Sequence, residues 1–197
     1  MNGHDRKGGS SPNLIATAVF YIISILLFPV SLTGYIIWIG KGILSKNASG
    51  VSATAQGPLS ARWGEHNLGT RPDEAANRLL PLLPGIPPLG LWLTAGPMLL
   101  AHRLTGYVPK AFRYPIEGDI PAQYEASARQ AFFDTVVDRY LPGIAQFVIL
   151  GAGFDTRAFR LPRDGRVRSF EVDAPKTQAV KRAILDKAAS TRLGSRS

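Results

Sequence analysis

Residues 147–174 read FVILGAGFDTRAFRLPRDGRVRSFEVDA, and the fold follows from this stretch. Phe147-Val148-Ile149-Leu150 is apolar without a break until Gly151, the pattern of a central strand in a parallel sheet. Gly151-Ala152-Gly153 then offers a tight turn with almost no side chain to keep a ligand from the backbone. The chain becomes extended again over Val167–Asp173, where the two-residue period of a strand puts Glu171 and Asp173 on one face. These acids lie 18 and 20 residues beyond Gly153. A nucleotide-binding sheet places there the carboxylate that accepts ribose hydroxyls. The expected fold class is α/β and Rossmann-like.

The glycine spacing narrows the ligand. A dinucleotide fingerprint needs a third glycine at position 156, and the residue there is Thr156, which argues against NAD and FAD. No Gly-Lys-Ser/Thr ending follows, which argues against an ATP phosphate cradle. S-adenosylmethionine carries no diphosphate. It needs room for an amino-acid tail beside the glycines and an acid for its ribose. The turn taken alone reads equally well as a structural one.

LGAGFDTRAFRL followed by FEVDAPKTQAVKRAIL resembles the leucine carboxyl methyltransferase family of S-adenosylmethionine-dependent O-methyltransferases. Upstream, Ala128-Arg129-Gln130-Ala131-Phe132-Phe133-Asp134 is similar to that family's Arg-x-x-Phe-x-Asp helix. The resemblance covers roughly Tyr124 to Lys187 and implies a class I methyltransferase fold with S-adenosyl-L-methionine as cofactor. It implies that Arg129 pairs with the methionine carboxylate and that Gly151 and Gly153 line the amino-acid tail. It further implies that Glu171 and Asp173 close on the ribose, and that the methyl acceptor is a small-molecule or protein carboxylate or hydroxyl. No residue can be assigned to the chemical step. Two strands are readable where the full fold has seven, so the sequence reads as the N-terminal part of a catalytic domain, C-terminally incomplete and truncated, expected to bind the cofactor weakly or not at all.

Composition removes other classes. The 197 residues carry a formal charge of +9. That balance raises nucleic acid as a partner, but aromatic and basic residues do not interleave as a base-stacking surface requires. The excess concentrates late, and a solvated basic surface or anionic lipid headgroups fit it better; nucleic acid is not expected. The absence of cysteine excludes disulfides, thiolate metal sites and a cysteine nucleophile. His4, His66 and His102 are scattered, so no metal is assigned.

Before the sheet, residues 1–13 read as a disordered tail. Leu14–Gly40 contains no charge and, as one helix of about 40 Å, exceeds the roughly 30 Å of a bilayer's hydrocarbon. Splitting it at Pro29 leaves arms too short to span, so the expectation is a single tilted anchor over 14–40. A secretory signal cleaved near Ala55 is the alternative. Residues 41–60 read as a Ser/Ala/Gly linker and 61–121 as a proline-rich, membrane-proximal cap. Within that cap a helix starts at Thr70-Arg71-Pro72-Asp73-Glu74, Thr70 at its cap position, and Gly90–Leu104 forms another. Residues 122–189 are the cofactor-binding part: a helix from about Pro121 to Tyr140 with Phe132, Phe133, Val136 and Val137 toward the core, the two strands, and an amphipathic helix over Lys176–Ala189. Residues 190–197 read as a second polar tail.

The expectation is therefore a membrane-anchored methyltransferase, single-pass, with its catalytic region in the cytoplasm. A non-enzymatic membrane protein or interaction module derived from a truncated methyltransferase is the reading from another class.

Overall fold

The computed structural model describes residues 13–49, 53–113, 125–162 and 164–194. The expected tail at 1–13 lies outside them except for Asn13, whose side chain accepts from the Ile15 N–H at 3.0 Å and caps helix α1 (Leu14–Leu26). Helix α2 (Phe28–Ser49) follows at once, bent from α1 by 58° at Leu27. This corrects the single helix expected over 14–40. Pro29 has no N–H, and its ring would strike the carbonyl of Ile25 in a continuous helix. As the second residue of α2 it sits where a helix has no backbone partner to lose. Among the described residues no single helix is long and apolar enough to cross a membrane, and only the bent pair taken together passes that test.

The expected linker is also largely helical. The second half of α2 enters it, and α3 (Ala53–Asn67) begins inside it and carries Pro58. Leu59 and Trp63, on one side of α3, are almost fully buried, and this packing outweighs the weak helix preference of the glycine and proline. Helix α4 (Glu74–Leu79) is capped by Asp73, whose Oδ1 accepts from the Ala76 N–H at 3.0 Å, so the cap falls three residues after Thr70. After a 3₁₀ turn at Leu80–Leu82, α5 (Pro88–Thr105) runs through Pro97 and ends on Gly106, whose φ of 70° suits a glycine C-cap.

One core joins these helices to the α/β part. Leu59, Trp63, Leu79, Leu80, Leu91 and Leu99 are buried together with Phe154 and Ile184. Helices α1 and α2 lie outside α5. Their crossing is made by glycines: a Cβ on Gly34 would stand 2.4 Å from the Thr94 nitrogen, and one on Gly90 would stand 3.1 Å from the Gly34 carbonyl oxygen.

The remainder is α6 (Glu125–Tyr140), β1 (Gln146–Leu150), β2 (Arg168–Val172) and α7 (Pro175–Gly194). Strands β1 and β2 pair in parallel from Gln146 opposite Arg168 to Leu150 opposite Val172. Two expectations change here. Val148 and Leu150 are exposed rather than central, because among the described residues β1 has β2 as its sole neighbour. Phe132 and Phe133 of α6 also face outward, and α7 extends helical structure to Gly194 within the expected tail.

Candidate functional site

The turn after β1 is a glycine structure by necessity. Gly151 and Gly153 have φ of 62° and 49°, a region that residues with a Cβ occupy at a cost. The turn is fastened to β2 by the Ala152 N–H, which donates to the Val172 carbonyl at 3.2 Å. Asp173, the first residue after β2, closes it further: its Oδ2 accepts from the Gly153 N–H and its Oδ1 from the Ala174 N–H, each at 2.5 Å. A carboxylate is thereby held against the glycine turn at the carboxyl ends of two parallel strands, where open α/β sheets bind their ligands.

A cavity of about 770 Å³ opens there, lined by the glycine turn, α6 and the start of α3. It brings together Arg129, Gly151, Gly153 and Asp173. Arg129 is exposed on α6 and, among the described residues, forms no ion pair. Glu171 does not join them. Its side chain turns to α7, where Lys181 Nζ donates to it at 2.7 Å, so the strand face shared with Asp173 does not become a shared site.

Behind the cavity is a charged cage legible in no single segment. Asp134 of α6 accepts from Arg62 Nη2 at 2.9 Å, from Arg157 Nε at 2.5 Å, and from Arg71, and Arg160 Nη2 lies 2.9 Å away. Burial alone would raise the Asp134 pKa, but the hydrogen bonds and charges of Arg62 and Arg160 drive it far below the usual carboxylate range. Burial also pulls against the charge of Arg62, yet Asp134 raises its pKa on balance. Glu65, paired with Arg71 at 3.1 Å, goes the other way: burial raises its pKa despite Arg71 and Arg62. Thr156, the residue that breaks the dinucleotide fingerprint, is wholly buried and donates through Oγ1 to Asp73 Oδ2 at 2.6 Å. The cage thus ties α3 and the α4 cap to the loop after β1, and Arg62 and Arg157 reach the cavity wall from it. Sequence reading missed these residues; the one signal was Asp134 inside the Arg-x-x-Phe-x-Asp helix.

The cavity also contains Gln130, which is buried and donates through Nε2 to the Pro58 carbonyl at 3.3 Å, holding α6 to α3. From α3 itself, Ala55 faces the glycine turn: a Cβ on Gly153 would lie 3.5 Å from its Cβ.

Part of the chain resembles known proteins. Residues 117–196 match the family model described as leucine carboxyl methyltransferase. That part of the chain is similar to this family. A protein of Mycobacterium ulcerans (strain Agy99), named "putative S-adenosyl-L-methionine-dependent methyltransferase", is 45% identical over 76 residues, covering 36% of this chain and 24% of that protein. A similarly named protein of Frankia alni is 48% identical over 59 residues, 29% of this chain and 21% of that one. One from Parafrankia is 32% identical over 152 residues, 71% of this chain and 41% of that one. The chain therefore spans about a fifth to two fifths of the length of these relatives. No solved structure matches it.

Proposed function

We propose that the cavity binds S-adenosyl-L-methionine and that the protein is a methyltransferase using it, with an oxygen of a carboxylate or hydroxyl as the acceptor. One observation carries this reading: Arg129, the Gly151–Gly153 turn and Asp173 line one cavity, with Asp173 bonded to the Gly153 N–H. The family match of residues 117–196 and the names of the relatives support it.

The residues suit the ligand. Arg129, without an ion pair among the described residues, offers a guanidinium for a carboxylate, and guanidinium–carboxylate pairs hold orientation as well as charge. The bare backbone of Gly151 and Gly153 leaves room for an amino-acid tail, room that any Cβ would narrow. Asp173 keeps lone pairs free beyond its two backbone bonds, and a carboxylate is suited to receiving ribose hydroxyls. When bound, the sulfonium supplies a methyl group already activated for transfer. The protein's part is then to position the acceptor and exclude water. The α3 wall at Ala55, Pro58 and Leu59 supplies apolar lining for that purpose. The methyltransferase part is assigned to the cytoplasm, where this cofactor is made.

Calorimetric titration of the chain with S-adenosyl-L-methionine tests the proposal. Saturable heat that Arg129→Ala abolishes supports it. Equal affinity in the two proteins refutes the assignment of this cavity.

A further inference from the structure

Helices α1 and α2 share a single contact stripe. Of residues 14–40, those not fully exposed are Ala16, Thr17, Phe20, Ile23, Ser24, Leu27, Ser31, Gly34 and Trp38. Most recur every three or four positions straight through the 58° bend, as one face of a helix does. That stripe is spent on α5 and the loop after it: Phe20 is buried with Ala101 and Tyr107, and Gly34 abuts Leu93 and Thr94. The rest of the surface is apolar and open, with Ile22, Ile25, Ile36 and Ile43 all more than half exposed. An exposed apolar surface running along two helices marks an interaction site in a folded protein.

The position of α5 decides how that surface is used. Leu91 and Leu99 of α5 belong to the main core, and Val108 and Phe112 beyond its end pack on the same core. Both ends of α5 are therefore tied to the body that contains the Arg62–Asp73–Asp134 cage. Packed helices lie about 8–10 Å apart. If α1 and α2 crossed a bilayer, α5 and the polar body on which its two ends pack would be drawn toward hydrocarbon, at a desolvation cost that weighs against a crossing. Lying flat does not incur that cost. The occupant is indicated by charge. No Asp or Glu occurs between Asp5 and Glu65 or between Glu74 and Glu117, while Lys41, Arg103, Lys110 and Arg113 fall inside those intervals. The hydroxyls of Thr17, Ser24 and Thr33 donate to carbonyls of their own backbone, which lowers the polarity these helices present.

We infer that α1 and α2 form a monotopic attachment surface: they lie in the plane of an anionic membrane, apolar face in the lipid, and do not cross it. This goes beyond the methyl-transfer reading and stands or falls independently of it.

The full chain, added to preformed vesicles, tests this. Flotation with vesicles of phosphatidylcholine and phosphatidylglycerol should exceed that with phosphatidylcholine alone, since each basic residue near an anionic surface adds roughly fivefold in affinity. Ile25→Glu with Ile36→Glu should weaken flotation at least roughly tenfold while circular dichroism stays helical, because both side chains are exposed. The chain has no cysteine, so Asn13→Cys and Gly40→Cys can each be probed alone with a membrane-impermeant maleimide. Both should react on intact vesicles as fully as in detergent. Protection of either one shows a crossing and overturns the proposal, as does equal flotation of the glutamate variant. A stable dimer that covers this face and does not float also overturns it.

Discussion

Asp173 Oδ2 accepts a 2.5 Å hydrogen bond from the Gly153 N–H, joining the end of β2 to the turn after β1 across twenty residues of sequence. The bond makes one carboxylate both the brace of the glycine turn and the acid beside it. Asp173→Asn keeps one acceptor and removes the charge. Hydrogen bonds to charged groups contribute about 1.5–3 kcal/mol, so affinity for S-adenosyl-L-methionine should fall roughly ten- to a hundred-fold. Calorimetry on the two proteins checks this, and equal affinities would remove Asp173 from the site.

Asp134 should govern the acid response of the fold. Its pKa is depressed in the folded state, so its contribution to stability is present above the unfolded carboxylate value of about 3.9 and is lost as pH falls through the folded value. Glu65 acts with the opposite sign: its pKa is raised by burial, so its contribution is present in acid and is lost as pH rises through that value. Asp134→Asn leaves the buried Arg62 and Arg71 and the half-buried Arg157 without their shared anion and should cost about 3–5 kcal/mol at neutral pH. Urea unfolding at neutral pH and near pH 3 measures both effects. The variant should be destabilised at neutral pH and should lose less stability on acidification than the parent, within the range set by the carboxylate pKa values.

Thr156 offers a sharper test of the loop. Replacing it with glycine completes a dinucleotide-like fingerprint in sequence, yet it deletes the donor to Asp73 Oδ2 in a fully buried place. Thr156→Val removes the same hydroxyl at nearly constant volume. Each should lower stability by about 1–3 kcal/mol, since Asp73 loses a buried partner. Neither should confer NAD binding, which equilibrium dialysis measures directly.

How much was legible in the sequence follows from how far apart the partners lie. The strand, the glycine turn and Asp173 fall within 27 residues, and local pattern sufficed to bring them to one place. Strand alternation put Glu171 with Asp173, but a pattern cannot show that Lys181 on the next helix takes the Glu171 side chain. The cage around Asp134 draws on residues 62, 71, 157 and 160, and no spacing rule connects them. Pro29 was visible as a point at which the helix could divide; that α5 packs against both arms was not. The apolar character of 14–40 was plain, whereas its side-on packing against α5 is a tertiary fact.

The two glycines at that crossing separate close packing from mere flexibility. A Cβ at Gly34 would stand 2.4 Å from the Thr94 nitrogen and 2.7 Å from the Leu93 carbonyl carbon, both backbone atoms that move only with the whole of α5. Gly40, six residues on in the same helix, has nothing within 4 Å of the corresponding point. Gly34→Ala must push the helices apart, and overpacking of this kind costs about 1–3 kcal/mol. Gly40→Ala adds helix preference of up to about 1 kcal/mol with no clash. In a chain of this size 1 kcal/mol corresponds to about 2–4 °C in Tm, so the first variant should melt earlier and the second at or above the parent. Thermal unfolding followed by circular dichroism resolves such shifts. If the two substitutions move Tm in the same direction by similar amounts, α2 and α5 do not meet at Gly34, and the side-on placement of α1 and α2 loses its footing.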